Sequence, residues 1–441
     1  MKNTKYDVLI AGGGIAGCAA AKAAADEGRS VAAIFPNGGA SEISSGTMDI
    51  CGVVPGVKAK AVDCYEEGIR HIIQAYPGHP YQYSKDKAAE GAAAVAALAS
   101  RGGYQLQGFE GKNVWLPNMM GTFSITAFVP FTSKDAVCSP QEGTALVVGL
   151  EGNVDFNAEA AAQSYNKYQK QLGFKETYYS VVMHLDGLKG RHKLSDSELA
   201  DYLDTPEGVQ ELSEKLAEFC ANNRQKFDKI LLPPVLGFVN YHAAVEKLKA
   251  DLGCGIGEVM TFGNPVVGYR MTRAIYRGLE DSGITLLRGG RVDSVSVSDG
   301  QVTADCTLGL TDQLHSGMKV KLQSSALVLA TGGFLGGGME ARRRDIWLNL
   351  LEENLGEVTA EQLNRNPVYG AGQDALRLGA SVHEDLSVKN EKFEGRVFAC
   401  GDFLAGHNSA SERSGAGVAA STGWLAGMNA AQRVKNMKED I

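Results

Sequence analysis

A short apolar strand runs directly into a glycine-rich turn near the start of the chain. Residues 6–11 are followed by Gly12-x-Gly14-x-x-Gly17, and an alanine-rich helix is predicted from 15 to 27. In this order Gly12 permits a tight turn, Gly14 lets the backbone approach a pyrophosphate, and Gly17 allows the helix to pack closely on the strand. The first N–H groups of the helix, at the positive end of its dipole, then face the phosphates. The pattern predicts a bound nucleotide cofactor.

Length and charge limit the class of protein. At 441 residues the chain exceeds what one hydrophobic core usually supports, so two or three domains are expected. The formal net charge of −8 argues against nucleic acid or an anionic membrane as a direct partner.

Eight cysteines are scattered along the chain without a C-x-x-C pair or any other ligand-like cluster. We therefore expect no iron–sulfur site, no zinc site and no other bound metal. Free thiols suit a reducing cytoplasm. The cysteines are Cys18, Cys51, Cys64, Cys138, Cys220, Cys254, Cys306 and Cys400.

No targeting or membrane segment is predicted. Met1–Lys5 leads straight into a strand that is too short for a signal peptide. Ala416–Ala431 consists mostly of Gly, Ala, Ser and Thr and is too short for a span, so we expect a packed helix there. The sequence predicts a cytoplasmic protein.

Strands and helices alternate in two separate parts of the chain. After a composition shift near Gln141, the alternation over 142–262 indicates an inserted α/β domain with its own parallel sheet. The flanking residues 1–141 and 263–441 are expected to form one discontinuous domain. Its other predicted elements are strand 31–35, helices 58–74, 86–101 and 265–282, a β-meander over 284–288, 292–297, 302–308 and 319–323 with turns at Asp299-Gly300 and Ser316-Gly317, strand 326–330, and helix 414–431.

Two further segments place small residues at strand ends. Ala330-Thr331-Gly332-Gly333 closes a predicted buried strand, and the strand beginning at Val397 ends in Gly401-Asp402. Together with the N-terminal motif, and in the same chain order, they resemble the flavoproteins with two dinucleotide-binding domains. The resemblance implies an α/β fold with a Rossmann-like FAD or FMN domain that carries a β-meander, plus the inserted α/β domain.

The resemblance also implies how the cofactor binds. The first motif holds the pyrophosphate, Asp402 hydrogen-bonds ribityl or phosphate oxygens, and the helix that follows points its N-terminus at the flavin ring. Roughly half a positive charge at a helix N-terminus stabilises the negative charge of a reduced flavin. The implied cofactor-binding residues are Gly12, Gly14, Ala16, Gly17, Ser44, Ser45, Gly46, Thr331, Gly332, Gly401, Asp402 and Gly415.

One position departs from the dinucleotide pattern. An acidic residue about 20 residues past the first glycine usually binds the adenosine ribose. Here the second strand ends in Ile34-Phe35-Pro36, and Glu42 lies well into the next loop. Either a neighbouring residue substitutes and the cofactor is FAD, or the flavin is the mononucleotide FMN.

Several strings along the chain are similar to those of one flavoprotein family, the B subunit of anaerobic glycerol-3-phosphate dehydrogenase. They are Ser44–Asp49, Gly78–Tyr81, Gly149–Phe156, Gly332–Gly338 and Gly401-Asp402. The resemblance covers essentially the whole chain. It implies a quinone-linked, flavin-dependent dehydrogenase subunit that oxidises glycerol 3-phosphate to dihydroxyacetone phosphate. The B subunit of this family is associated with FMN, in agreement with the missing acid.

The family resemblance further implies partner subunits. An A subunit is a second flavoprotein, and a C subunit carries iron–sulfur clusters and attaches to the membrane. Electrons would pass through the flavin toward the iron–sulfur partner and quinone. The chain is then expected at the inner face of the membrane, held there only through its partners.

His407 and Arg413 are the candidate catalytic residues. Oxidation of a secondary alcohol needs a base for the hydroxyl proton and a flavin that takes the hydride. His407 follows Asp402 in the loop expected beside the flavin ring, although a solvent or interface histidine is the alternative. Arg413, at the expected helix start, could hold a phosphate or a carboxylate.

Two further arginine groups have both structural and functional interpretations. Arg342–Arg344 is either an anion-binding or partner-facing patch or a solvated charge run. Arg270, Arg273 and Arg277 recur at helical spacing, which favours an exposed basic face.

Two other functions stay open at this point. A stand-alone flavin oxidoreductase of the fumarate-reductase-like class would act on a small carboxylate. A non-catalytic assembly protein would keep only a vestigial nucleotide pocket.

Overall fold

A computed structural model describes residues 4–55, 60–263, 265–309, 317–359, 362–363 and 373–439. The chain divides into two compact units. The first consists of Met1–Glu42, Met48–Gly103 and Thr272–Ile441, and the second of Ile43–Thr47 and Tyr104–Met271. The boundaries expected from composition, 142 and 262, lie inside the second unit.

The helices and strands follow one another in three stretches. Up to Gly103 they are β1 (Lys5–Ala11), α1 (Ile15–Asp26), β2 (Val31–Phe35), β3 (Val53–Val54), β4 (Lys60–Ala61), α2 (Tyr65–Ala75), α3 (Tyr81–Ser84) and α4 (Ala88–Arg101). Then come β5 (Leu106–Gly108), β6 (Val114–Pro117), β7 (Phe123–Thr126), β8 (Phe128–Pro130), β9 (Glu142–Leu150), α5 (Ala158–Tyr168), β10 (Lys175–Met183), α6 (Asp196–Leu203), α7 (Pro206–Asn222), β11 (Lys229–Leu232), α8 (Tyr241–Leu252), β12 (Gly255–Glu258) and α9 (Pro265–Glu280). The last are β13 (Thr285–Arg288), β14 (Arg291–Ser298), β15 (Gln301–Leu308), β16 (Met318–Leu329), β17 (Met339–Arg342), β18 (Asp345–Leu348), β19 (Glu353–Glu357), β20 (Val397–Ala399), α10 (Ser409–Glu412) and α11 (Gly415–Glu439).

A seven-stranded sheet forms the centre of the first unit. The strand order is β13-β2-β1-β16-β15-β14, and β20 also pairs with β16. β13, β2, β1, β16 and β20 run parallel, whereas β14, β15 and β16 form an antiparallel meander. Val8, Leu9 and Ile10 of β1 are fully buried, as expected for a parallel strand covered on both faces. The carboxyl ends of β1, β16 and β20 meet at one edge, so the three glycine motifs of the sequence converge there.

Helix α11 packs along α1 through small residues. A Cβ at Gly423 or Gly427 would collide with the backbone of Ala16 or Ala20, so the two helix backbones approach very closely. The packed helix expected over 416–431 is therefore present as part of a longer helix. In the described part of the chain, no helix is both long and apolar enough to cross a membrane.

Some predicted element boundaries are wrong. β16 is one continuous strand where the sequence suggested two, because Gln323 and Ser324 pair with both β1 and β15 and so continue the ladder. The helix expected from 58 begins only at Tyr65, since Lys60–Ala61 pairs with β3. The turn at Asp299-Gly300 is present, with both residues at positive φ. The other expected turn, Ser316-Gly317, falls partly outside the described residues.

The carboxylate of Asp293, in the meander, makes the stability of the fold depend on pH. Burial alone would raise the pKa of Asp293, but hydrogen bonds from Thr307, Lys319 and Arg291 lower it to about 2. Because the folded-state pKa lies below the unfolded value of about 3.9, the ionised group stabilises the fold above that pH. The contribution is lost as the pH falls toward 2.

When the pH is lowered from 5 to 2, the free energy of unfolding of an Asp293→Asn variant is therefore expected to fall less than that of the wild type. Most of this difference should develop between about pH 4 and pH 2. Urea unfolding at several pH values measures this. Parallel stability-versus-pH curves for the two proteins would contradict the role given to Asp293.

A four-stranded parallel sheet in the order β10-β9-β11-β12 forms the centre of the second unit. The alternating pattern of the sequence predicted this parallel arrangement. Its core includes Val147, Tyr165 and Leu231, all fully buried.

Arg270 lies in this second unit and is buried, so the expectation of an exposed face is wrong for this residue. Its guanidinium makes a two-pronged ion pair with Glu258, at 2.6 and 3.1 Å, and its Nε donates to the carbonyl of Gly237 at 2.6 Å. The ring of Tyr241 lies 4.9 Å from the guanidinium carbon. Helical spacing alone could not predict this burial, because Glu258 belongs to a different element.

The arginine run Arg342–Arg344 forms the tip of a small three-stranded sheet, β17-β18-β19, that the sequence analysis missed. The Arg342 guanidinium lies over the ring of Trp347 at 5.0 Å, and Arg344 pairs with Glu357 at 3.3 Å. Arg343 occupies the turn at positive φ. All three arginines are exposed, as in a solvated charge run.

Candidate functional site

The N-terminal glycine motif forms a tight cradle between β1, α1 and β16. Gly12 has φ +133°, and a Cβ there would collide with the carbonyl of Ala330. A Cβ at Gly17 would collide with the carbonyl of Gly12. At Gly14, in contrast, a Cβ would meet only Ser41 Oγ at 3.3 Å and the carbonyl of Gly38 at 3.7 Å. Gly12 and Gly17 are thus required by the fold, whereas Gly14 keeps space open above the first turn of α1.

The start of α1 is suited to an anion. No acidic residue lies in its first turn, so nothing there offsets the positive end of the helix dipole. The backbone N–H of Ile15 donates to Ser41 Oγ at 3.1 Å. The sequence did not single out Ser41. Its one sequence signal is that it is a serine in the glycine-rich loop after β2.

Thr331 and Gly332 lie at the end of β16, directly after the Ala330 that touches Gly12. The hydroxyl of Thr331 is buried and has no hydrogen-bond partner among the residues that the structure describes. An orphaned buried hydroxyl beside a glycine cradle fits a polar oxygen supplied by a ligand.

The end of β2 has no carboxylate, as the sequence indicated. Phe35 is buried, and its ring packs against the backbone of Gly13 and stacks with Tyr276 at 4.9 Å between centroids. Glu42 folds back so that its Oε2 accepts the N–H of Gly38 at 2.9 Å. The loop therefore directs the Glu42 carboxylate back toward the end of β2.

Ser44, Ser45 and Gly46 belong to the second unit. Gly46 N–H donates to Ser44 Oγ at 3.3 Å, and its carbonyl accepts the Tyr104 hydroxyl at 3.0 Å. The hydroxyls of Ser45 and Thr47 lie 2.8 Å apart. A cofactor contact for these residues stays a prediction.

Gly401, Asp402 and Gly415 lie around the start of α11. Gly401 has φ +68° and packs on the methyl group of Ala16, and its N–H donates to Thr422 Oγ1 at 2.9 Å. The Asp402 side chain is 50% exposed, so it is accessible to a ligand. These contacts bring the C-terminal motif next to the N-terminal one, as the sequence predicted.

His407 lies between two carboxylates. Its Nδ1 is 2.9 Å from Asp402 Oδ1, and its Nε2 is 3.1 Å from Ser414 Oγ and 3.7 Å from Glu412 Oε2. The imidazole is only 1% exposed, so it can reach a ligand only through its neighbours. Burial alone would raise the pKa of Asp402, but the hydrogen bond and charge of His407 bring it below its usual range.

Glu412 is a fully buried carboxylate at the centre of this cluster. Its Oε2 lies 3.0 Å from His79 Nε2, and its Oε1 lies 2.7 Å from Arg377 Nη1. Burial would raise the pKa of Glu412, but His79, His407 and Arg377 together lower it. Burial lowers the pKa of His79 despite this carboxylate. This cluster could not be predicted from the sequence, because His79 and Glu412 are far apart in the chain.

Arg413 connects this cluster to the start of α11. It adopts a left-handed conformation, with φ 50°, which is uncommon for a residue other than glycine. Its Nε lies 3.3 Å from Asp49 Oδ2, and its side chain is 24% exposed. Asp49 also accepts the Gly417 N–H at its backbone carbonyl, so it fixes both the arginine and the helix start.

Comparison with known proteins indicates the class of cofactor that the chain binds. The profile of a family described as FAD binding domain matches residues 7–390. The chain belongs to this FAD-binding family. Its flavin is therefore FAD, and the alternative of FMN is not supported.

Curated relatives match along nearly the whole chain. The B subunit of anaerobic glycerol-3-phosphate dehydrogenase from Yersinia enterocolitica is 26% identical over 94% of this chain and 95% of its own length. The probable B subunit of the same enzyme from Halobacterium salinarum is 26% identical over 97% and 98%, respectively. Among solved structures, Mycobacterium smegmatis Sdh1 is 11% identical, covers 98% of this chain and 69% of its own, and superposes with a TM-score of 0.41.

The residues of this FAD-binding protein fit the cofactor. The open space at Gly14 and the N-terminus of α1 suit a pyrophosphate, and the orphaned Thr331 hydroxyl supplies a donor at the same edge. The start of α11, with Asp402 beside it, suits the ribityl chain and the ring. The chain is a flavin-dependent oxidoreductase.

Proposed function

We propose that this chain is a flavoprotein subunit of an anaerobic glycerol-3-phosphate dehydrogenase. It would oxidise glycerol 3-phosphate to dihydroxyacetone phosphate and pass the electrons through FAD toward an iron–sulfur partner and quinone. The proposal is supported by two relatives that carry this name and match almost end to end, in both directions of coverage.

One structural observation supports the choice of substrate: a partly exposed arginine, Arg413, lies directly before the start of α11. Its conformation is fixed by the left-handed backbone and by Asp49. A guanidinium is suited to a phosphate because its N–H groups form a planar fork. We assign Arg413 to the phosphate of glycerol 3-phosphate.

His407 and Asp402 are assigned to the hydroxyl proton of the substrate. Bound FAD supplies the acceptor for the hydride that leaves the carbinol carbon. Because His407 is buried, it would accept the proton by way of the half-exposed Asp402. The lowered pKa of Asp402 keeps this carboxylate ionised at neutral pH and able to receive a proton.

The partners proposed are an A subunit that is also a flavoprotein and a membrane-associated C subunit with iron–sulfur clusters. In this arrangement the chain lies in the cytoplasm and associates peripherally with the inner face of the membrane through those partners. Oxidation of a secondary alcohol would release two electrons, and an iron–sulfur partner that takes one electron at a time would receive them in sequence.

Turnover with an artificial electron acceptor tests this proposal. The tagged chain, purified from its native source with whatever proteins accompany it, is expected to oxidise glycerol 3-phosphate and form one dihydroxyacetone phosphate per two electrons. Iron should be present in the accompanying proteins. Turnover of succinate or fumarate in place of glycerol 3-phosphate would contradict the proposal and favour the fumarate-reductase-like alternative.

A further inference from the structure

The end of β2 differs from that of an ordinary dinucleotide-binding domain, where an acidic side chain binds the adenosine ribose. Phe35 stands there instead and is buried, and a Cβ added to Gly13 would lie 2.5 Å from its ring. The ring of Tyr276 packs on Phe35 at 4.9 Å between centroids, and its hydroxyl donates to the Gly13 carbonyl at 2.9 Å. This packing fills the strand end, so the ribose of FAD needs another partner.

The loop after β2 borders the space for the pyrophosphate. A Cβ added to Gly14 would lie 3.7 Å from the carbonyl oxygen of Gly38. The N–H of the same residue, Gly38, donates to Glu42 Oε2 at 2.9 Å. Since the flavin half of the cofactor extends toward the start of α11, the adenosine half leaves the pyrophosphate on the side of β2. The Glu42 carboxylate therefore lies at the loop that the ribose must pass.

The two oxygens of the Glu42 carboxylate have different surroundings. Oε2 is held by the Gly38 N–H, whereas Oε1 accepts no hydrogen bond from the residues that the structure describes. The side chain is only half-buried, so a ligand can reach it. A carboxylate oxygen accepts hydrogen bonds, and the adjacent hydroxyl groups of a ribose donate them. One fixed oxygen and one open oxygen thus suit a ribose.

A second polar group beside Gly38 also lacks a partner. Thr272 is 3% exposed, and its hydroxyl makes no hydrogen bond within the described part of the chain. Its methyl group would lie 2.9 Å from a Cβ added to Gly38, so the threonine packs against the residue that holds Glu42. A buried hydroxyl without a partner is expected where a ligand completes the hydrogen bonding.

We propose that Glu42 binds the hydroxyl groups of the adenosine ribose of FAD, in place of the acid that the end of β2 lacks. The Gly38 N–H fixes the carboxylate, and its open oxygen accepts from the ribose. Recognition of the adenosine half is thereby assigned to the loop after β2 and not to the strand itself. The inference concerns FAD binding alone and does not depend on the substrate proposed above.

A Glu42→Gln variant separates this role from a purely structural one. The amide oxygen can still accept the Gly38 N–H, but the NH₂ group, a donor, then replaces the open acceptor. FAD should bind about 10–100-fold more weakly, the loss expected for one hydrogen bond to a charged group. FMN, which has no adenosine, should bind the variant and the wild type equally. Isothermal titration of the full chain, after reversible removal of FAD, measures both affinities.

An FAD analogue whose adenosine ribose lacks both hydroxyl groups tests the same contact from the side of the ligand. The wild type should bind FAD more tightly than this analogue, by about the factor that Glu42→Gln loses. Glu42→Gln should bind FAD and the analogue equally. A wild type that does not distinguish the two ligands would overturn the proposal. Equal losses of FAD and FMN affinity in Glu42→Gln would also overturn it, because they would show that Glu42 only shapes the loop.

Glu27→Gln is the matched control, because Glu27 is exposed at the other end of α1 and undergoes the same chemical change. It should alter neither the FAD affinity nor the preference for FAD over the analogue. If Glu42→Gln does not fold, Glu42→Asp takes its place, since this variant keeps the charge but withdraws it by one methylene group. A preference for FAD as large as that of the wild type in Glu42→Asp would then contradict the assignment.

Discussion

Replacing Arg413 with glutamine is expected to lower kcat/KM for glycerol 3-phosphate by about 10²–10³-fold while FAD stays bound, because a charged partner of the phosphate is removed. The effect should be concentrated on substrate recognition, since Arg413 is accessible whereas the surrounding cluster is buried. Arg413→Lys keeps the charge but not the planar fork, so it should recover only part of the loss. Steady-state kinetics and the flavin-to-protein ratio measure both quantities.

Arg433→Gln is the control, because Arg433 is an exposed arginine on the same helix, α11, far from its N-terminus. It should leave kcat/KM unchanged. If Arg413→Gln instead lost FAD and retained normal turnover per remaining flavin, Arg413 would be a cofactor ligand and not the phosphate anchor.

Two glycine substitutions in the cradle should separate folding from cofactor binding. Gly12→Ala places a Cβ against the carbonyl of Ala330 at a φ of +133°, so the first unit should not fold. Gly14→Ala meets no atom closer than 3.3 Å, so the protein without cofactor should unfold at nearly the wild-type temperature. Its added methyl group stands where the pyrophosphate must approach, and FAD affinity should fall by about 10–100-fold, the equivalent of a 1–3 kcal/mol overpacking cost.

Gly28→Ala serves as a control for a glycine outside the cradle, since a Cβ there meets nothing within 4 Å although its φ is +72°. It should be mildly destabilising with normal FAD affinity. Equal FAD affinity in wild type and Gly14→Ala would show that the pyrophosphate does not approach this turn.

The sequence predicts those parts of the fold that depend on residues close together in the chain. Three features could be predicted because each depends on hydrophobic periods or glycine spacings within short segments. They are the strand–turn–helix at the N-terminus, the parallel sheet of the second unit and the packed helix near the C-terminus. The continuity of β16 was not predictable, because its polar residues near Ser324 are stabilised by pairing with β1 and β15 on either side. Arg270 was misjudged for a related reason: its partner, Glu258, lies on another element.

Some residues of the candidate site could likewise be predicted from the sequence, and others could not. Gly12, Gly17 and Asp402 could be found because their motifs follow strands directly. His79, Arg377 and Glu412 could not, because their chemistry depends on contacts across the first unit and no local spacing links them. Burial likewise changed the interpretation of His407, since a sequence cannot show that the side chain of this histidine is only 1% exposed.

Anaerobic reduction of the bound flavin by glycerol 3-phosphate tests most directly whether this chain's own site carries out the chemistry. Adding the substrate to the purified FAD-loaded chain, without partner proteins or acceptor, is predicted to bleach the visible flavin absorbance and to form one dihydroxyacetone phosphate per flavin reduced. A flavin that dithionite reduces but glycerol 3-phosphate leaves oxidised would contradict the assignment of substrate oxidation to this chain.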